Sequence, residues 1–351
     1  MRDFSSDHRW LSLNTATVRK QGNLLEIIEA CARHNIRAID PWRDQVAAVG
    51  LDRAARAVRD AGLELSGYCR GGMFTSDPAR RNEVGDDNRR AVDEAKALGA
   101  SCIVLVVGGL PQYSRPGSAV SRDITAARTQ VEDAISEMME YARGANMPLA
   151  IEPLHPAYAA DRACVNTTKQ ALDICDRLDG EGTGILGIAL DVYHVWWDPE
   201  LPAQICRAGT DRLLAFHVCD WLVPTRDILN DRGMMGDGVI DIKSVRRLVE
   251  AQGFAGYCEI EIFSNDWWGR PMDEVLRTCI ERHRFGGVGT SGYRHLRQAS
   301  PFHYMRGAPG VAFGGKHGVI ESGQMQPARN RGWRGRRGNE TGDKIMDSSQ
   351  V

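Results

Sequence analysis

The sequence predicts an α/β fold: an eight-stranded parallel β/α barrel over residues 1–285, followed at 286–351 by a tail of different character. Three observations carry this reading. First, eight short apolar runs alternate with eight stretches of helical periodicity. The runs are mostly continuous, as in strands buried on both faces. Second, four of them end directly in a polar side chain: Leu149–Ile151 in Glu152, Ile185–Leu190 in Asp191, Leu213–Phe216 in His217 and Tyr257–Ile260 in Glu261. The C-terminal ends of parallel strands are where such barrels hold their chemistry. Third, an open doubly wound sheet would need a Gly-rich turn after the first strand, and Asn14-Thr15-Ala16-Thr17 is not one.

The elements follow in order. Trp10–Asn14 is the first strand, and Leu24–Asn35 a helix capped by Asn23. The short run Ile36–Ile39 leads to Asp40, and Leu51–Ala61 is a helix stopped by Gly62. Leu63–Tyr68 is the third strand, ending near Arg70, and the helix Asp86–Leu98 stops at Gly99. Cys102–Val107 is the fourth strand. After a loop at Pro111–Gly117 comes the long helix Ser121–Ala145. Leu149–Ile151 is the fifth strand, and Thr167–Leu178 a helix capped by Asn166 or Thr167. The sixth strand ends in Asp191, and the short helix Pro202–Ala208 precedes the seventh, Leu213–Val218. Residues 222–240 read as a long loop with a Gly236-Asp237-Gly238 turn. The helix Asp241–Ala251, the eighth strand Tyr257–Ile262 and the helix Met272–His283 complete the barrel.

Composition narrows the functional classes. Hydrophobic residues at 42% and charged residues at 26% are those of a soluble globular protein. No run of about 18 apolar residues offers a membrane span, and the opening MRDFSSDHRW has no apolar core of a secretion signal. The nine cysteines form no CxxC pair and sit mostly in apolar stretches, which fits free thiols and a cytoplasmic location. The net charge of −2 is unevenly spread: the tail carries +6 and the barrel −8. Fourteen glycines and no sustained periodicity predict a disordered tail. Its Arg331–Gly338 arginine–glycine cluster is the only feature suited to nucleic acid, and an unstructured extension explains it equally simply.

Glu152, Asp191, His217 and Glu261 can converge on one divalent metal. Three carboxylates and one imidazole form an oxygen-rich site that suits Mn²⁺ first, then Mg²⁺ or Co²⁺, with Zn²⁺ as a further alternative. Glu259 shares a strand face with Glu261, but Glu261 lies nearer the strand's C-terminal end. His155 is expected in a loop or behind the ligands. Trp42, Trp197 and Trp267-Trp268 follow strand ends and offer either an apolar wall for a ring or ordinary packing. Arg43 and Arg70 follow strand ends too, where they bind a substrate anion or make surface ion pairs. Asp220 either orients His217 or lines the site mouth.

From residue 8 to 285 the chain resembles the xylose isomerase-like TIM barrels, the sugar phosphate isomerases and epimerases that include ketose 3-epimerases and inosose dehydratases. The pieces that carry the resemblance are Ile151-Glu152-Pro153, Leu190–His194, Phe216–Asp220, Gly236–Asp241 and Gly253–Gly256 running into Ile260–Phe263. The resemblance implies that Glu152, Asp191, His217 and Glu261 bind the metal, that both glutamates carry protons, and that His194 hydrogen-bonds the substrate. It implies a metal-dependent isomerase or epimerase of a keto sugar, with one ion per chain polarising the carbonyl. Epimerisation needs a base and an acid on opposite faces of one carbon, and glutamates from strands five and eight can supply them.

The same site would serve a dehydratase if a β-hydroxyl left before reprotonation. An abasic-site endonuclease on this barrel would need further histidines after strands three and four; Tyr68-Cys69-Arg70 and Val107-Gly108-Gly109 have none, and the acidic barrel disfavours a phosphate backbone. A non-catalytic binding barrel would leave the four ligands unexplained. A small sugar is therefore the expected partner, without membrane or nucleic acid. The resemblance is compatible with a homo-oligomer, although no exposed patch in the sequence marks an interface.

Overall fold

A computed structural model describes residues 2–111 and 121–284. The tail from residue 286 and positions 112–117 of the Pro111–Gly117 connection lie outside the described residues. Among the described residues no helix is long and apolar enough to cross a membrane.

The core is a curled, all-parallel sheet built from β1 (Leu11–Asn14), β2 (Ala38–Asp40), β3 (Glu64–Leu65), β4 (Cys69–Gly72), β5 (Ile103–Val106), β6 (Leu149–Ile151), β7 (Leu186–Asp191), β8 (Leu213–Val218) and β11 (Cys258–Ile260). Their spatial order is β3-β2-β1-β11-β8-β7-β6-β5-β4, so the first and last strands in space are neighbours in the chain. Single bridges between Trp42 and Cys69, and between Leu65 and Ala100, stitch this last seam. The third strand read from the sequence is thus two pieces. β3 pairs with β2, and β4 pairs with β5. Gly67 sits between the two pieces, where a Cβ would meet Asp40 Oδ2 at 2.5 Å, and at the end of β4 a Cβ on Gly72 would meet the Val106 carbonyl oxygen at 2.2 Å. β5, β6 and β7 are buried along their whole length, which explains their unbroken apolar runs.

The covering helices owe their ends to local chemistry. For α1 (Leu24–Arg33), Asn23 Oδ1 accepts from the N–H groups of Leu25 and Glu26, while Glu26 Oε2 accepts from Asn23 N at 2.7 Å. Its apolar stripe, Leu24, Ile27, Ile28 and Cys31, faces the sheet. Two helices, α2 (Arg43–Val49) and α3 (Leu51–Asp60), meet at Gly50, where one was expected. α4 (Arg81–Leu98) starts five residues before the predicted Asp86. α5 (Ile124–Ala145), α6 (Thr168–Leu178), a one-turn α7 (Val192–Val195), α8 (Leu201–Arg212), α9 (Ile242–Ala251), a one-turn α10 (Asn265–Trp268) and α11 (Met272–Arg284) follow. The predicted 222–240 loop contains β10 (Arg232–Gly233), which pairs antiparallel with β9 (Asp220–Trp221) immediately before the loop.

His283, in the last turn of α11, is buried with its ring edge-on to Phe4 at 5.3 Å, and neither ring nitrogen has a hydrogen-bond partner among the described residues. Burial, reinforced by the Arg246 charge, pushes its pKa down to about 3. Above pH 7 the ring is neutral in both folded and unfolded chains. As pH falls below the unfolded value of about 6.5, only the unfolded chain takes up the proton, so stability drops, by about 2 kcal/mol at pH 5. Urea denaturation at pH 7.5 and 5.0 should show that loss in the wild type and a loss about 2 kcal/mol smaller in His283→Leu. Equal losses would mean that His283 titrates normally in the folded chain.

Candidate metal centre and substrate cleft

Four adjacent strand ends deliver the central side chains. Glu152 extends β6, its N–H bonded to the Leu105 carbonyl at 3.1 Å. Asp191 closes β7 and caps α7: Oδ1 accepts from Tyr193 N at 2.9 Å, which leaves Oδ2 for the barrel mouth. His217 lies on β8 in register with Asp191 on one side and Glu259 on the other. Glu261 follows β11, its N–H bonded to the Val218 carbonyl at 3.2 Å. One ligand atom from each of Glu152, Asp191, His217 and Glu261 lies within 4.8 Å of every other, and all four residues are buried. His217 Nδ1 is 3.3 Å from Glu152 Oε1 and 3.7 Å from Glu261 Oε2. Neither Nδ1 nor Glu152 Oε1 has a hydrogen-bond partner among the described residues. Buried polar atoms without partners are costly. A divalent ion would satisfy these atoms and offset three crowded carboxylates, so the donor set fits a hard or borderline cation.

Glu259 occupies the level below. It accepts from Asn14 Nδ2 at 2.9 Å and Ser66 Oγ at 2.8 Å, and its Oε1 is 3.4 Å from His217 Nε2. Asp40 lies beside it, accepting from Cys69 N at 3.0 Å. Burial, then the Glu259 charge, pushes the Asp40 pKa well above the carboxylate range. Asp40, His217 and Glu259 are also close enough to hold an ion. However, Glu259 is already hydrogen-bonded twice, and a carboxylate beside Nε2, here at 3.4 Å without a hydrogen bond, is the usual neighbour of a histidine that ligates through its other nitrogen. The two glutamates therefore differ by level: Glu261 joins the quartet and Glu259 backs it.

Electrostatics within the quartet are set by Arg232 on β10. Its Nη1 donates to Asp191 Oδ2 at 2.9 Å and Glu261 Oε2 at 3.1 Å, and Nη2 lies 3.1 Å from His194 Nε2. The guanidinium is buried over the Tyr193 ring at 4.5 Å and the Phe263 ring at 5.1 Å. Burial raises the carboxyl of Glu152 and takes Asp191 to about 7. Burial would raise Glu261 too, but Arg232 and His217 hold it at about 2. His194, on α7, has both nitrogens facing N–H donors, the second being His155 N at 3.3 Å. Burial and the Arg232 charge drive its pKa well down, so it stays neutral.

The cleft over the quartet is lined by Trp42, Arg70, Tyr158, Arg162 and Phe263, with His194, Arg232, Glu152 and Glu261 at its floor. Three residues expected at the substrate are placed elsewhere. Arg43 starts α2 and is held by Asp87 (2.9 Å) and Glu94 (2.8 Å) of α4, so it makes an internal ion-pair network instead of lining the cleft. Asp220 turns to the loop backbone and accepts from Gly236 N at 2.8 Å and Ile240 N at 3.0 Å, which shapes the 222–240 segment. Trp197 lies behind His194, donating from Nε1 to its carbonyl at 2.8 Å. His155 sits in a loop behind His194, and Trp268 is tied to the Ala16 carbonyl at 2.8 Å. Arg232 escaped the sequence reading: its segment also holds Arg226, which pairs with Asp231 and Asp266 at the surface, and nothing local separates the two.

This barrel and its strand-end quartet define the class of the protein. A family model described as xylose isomerase-like TIM barrel matches residues 25–282, and the chain belongs to that family. It is 22% identical over 289 residues to an inosose isomerase of Bacillus licheniformis, covering 77% of this chain and 95% of that one. The crystal structure of protein SMc04130 from Sinorhizobium meliloti 1021 superposes with a TM-score of 0.75 at 57% identity, over 80% of this chain and 99% of that one. The structure of IOLI protein with a bound zinc atom gives a TM-score of 0.67 at 20% identity, over 79% of this chain and 97% of that one.

Proposed function

We propose that the chain is a divalent-metal-dependent isomerase or epimerase of a keto sugar or a related polyol ketone. The observation that carries this reading is the buried quartet, in which Glu152 and Glu261 both flank the unpartnered Nδ1 of His217. Glu152, Asp191, His217 and Glu261 would hold one ion, with Mn²⁺ as the proposed occupant. When bound, such an ion polarises a carbonyl and stabilises the enediolate left by loss of the α-proton. The inosose isomerase relatives support the reaction class.

The chain's own residues supply the rest. Glu152 and Glu261 reach the cleft floor from β6 and β11, so one takes the α-proton and the other returns it to the opposite face. Arg232 presents N–H groups to substrate oxygens, and His194 lies beside it on the cleft floor, its Nε2 3.1 Å from Arg232 Nη2. Trp42 and Phe263 meet edge-on at 5.4 Å and give the sugar an apolar wall. The barrel of residues 1–285 is the proposed catalytic unit.

The test is incorporation of solvent deuterium at the α-carbon of a panel of ketoses and inososes by Mn²⁺-loaded protein. Exchange supports the reading, and no exchange across the panel defeats it. A conjugated enone absorbing in the ultraviolet would instead reveal the dehydratase. Glu259→Gln checks the lower level: removing the carboxylate charge 3.4 Å from His217 Nε2 should reduce Mn²⁺ affinity by about 10–100-fold, read by calorimetry. Unchanged affinity would reduce Glu259 to a packing role.

A further inference from the structure

Among the described residues, the buried and half-buried arginines are, as a rule, matched. Arg43 has two carboxylates, Arg232 has two, and Arg212 has the buried Asp179 at 2.8 Å. Arg70 breaks the rule. Its side chain, on the second residue of β4, is half-buried and lines the cleft with Glu152, Glu261 and Arg232. It makes no hydrogen bond or ion pair with the described residues. A second cation, Arg162, lines the same cleft. Burial, then the charge of Arg162, lowers the Arg70 pKa. A guanidinium that gives up water without gaining an acceptor costs stability. The nearby carboxylates do not relieve it: Asp191 and Glu261 are taken by Arg232, and Glu152 lines the cleft without an ion pair to Arg70.

We propose that the substrate carries an anionic group, a carboxylate or a phosphate, and that Arg70 binds it at the cleft wall beside the quartet. The planar guanidinium fork matches the oxygens of either group, and burial strengthens the contact. Trp42 and Phe263 offer no competing anion acceptor on the adjacent wall. The ligand would then be anchored at two ends: its ketone and hydroxyl over the quartet, its anion on Arg70. This rests on the isomerase reading, because it requires the substrate to enter this cleft.

Three small α-hydroxyketones separate the outcomes: dihydroxyacetone, which is neutral, hydroxypyruvate, which bears a carboxylate, and dihydroxyacetone phosphate. Their affinities for the Mn²⁺-loaded full chain are measured by calorimetry for wild type, Arg70→Ala and Arg70→Lys. One of the anions should bind at least about 10-fold more tightly than dihydroxyacetone, and which one does identifies the group. Arg70→Ala should remove that preference without changing dihydroxyacetone affinity, and Arg70→Lys should restore part of it. Since Arg70 has no partner among the described residues, Arg70→Ala should melt no lower than wild type without ligand. A preference that is absent, or that survives Arg70→Ala, overturns the proposal and leaves the isomerase reading standing. Binding of none of the three, with Mn²⁺ bound, together with no deuterium exchange in the ketose panel, overturns both.

Discussion

Glu152→Gln and Glu261→Gln, made singly, should each cut α-proton exchange by about 10²–10⁴-fold, the range of a lost general acid or base. Glutamine keeps the volume and one carbonyl oxygen of the side chain, so the barrel mouth stays packed while the proton carrier is gone. Both residues are buried beside His217 Nδ1, and the quartet contains no other glutamate. The exchange rate is read by NMR on the best ketose of the panel, at saturating Mn²⁺ so that weakened ion binding does not mask the chemistry. Either variant retaining exchange within about 10-fold of wild type would remove that glutamate from proton transfer.

Arg232→Met should be the most destabilising change at the site in metal-free protein. Methionine keeps the apolar stem against Tyr193 and Phe263 but removes the only cation among the described residues that is bonded to both Asp191 and Glu261. Breaking one side of a buried ion pair typically costs about 3–5 kcal/mol, because the remaining charges have no partner. Added Mn²⁺ should recover part of that loss, since a divalent ion offsets the same carboxylates. Chemical denaturation with and without Mn²⁺ gives both numbers. Equal stability of Arg232→Met and wild type without metal would show that Asp191 and Glu261 do not depend on Arg232.

The barrel was legible because its strands are buried on both faces. Burial writes them as unbroken apolar runs, and a polar residue ending such a run marks the barrel mouth. That pattern located Glu152, Asp191, His217 and Glu261, which the fold brings within 4.8 Å of one another. The split of the third strand was hidden because it depends on backbone approaching Asp40 and Val106 from other strands, at Gly67 and Gly72. Arg43 and Arg70 look alike in the sequence, each just past a strand. What separates them is Asp87 and Glu94 on α4, which claim Arg43 and leave Arg70 alone. Asp220 and Arg232 exchange roles for a similar reason: the β9–β10 pair turns the aspartate to backbone amides and the arginine inward.

The most direct test of the central claim is the metal content of the purified chain, by elemental analysis of wild type and a Glu152→Gln/Glu261→Gln double variant. About one Mn, Mg, Co or Zn per wild-type chain, lost in the variant, is the expected result. A wild-type chain that carries no metal and takes none up on titration would contradict the account, because the quartet would then be a buried carboxylate cluster and not the proposed metal site.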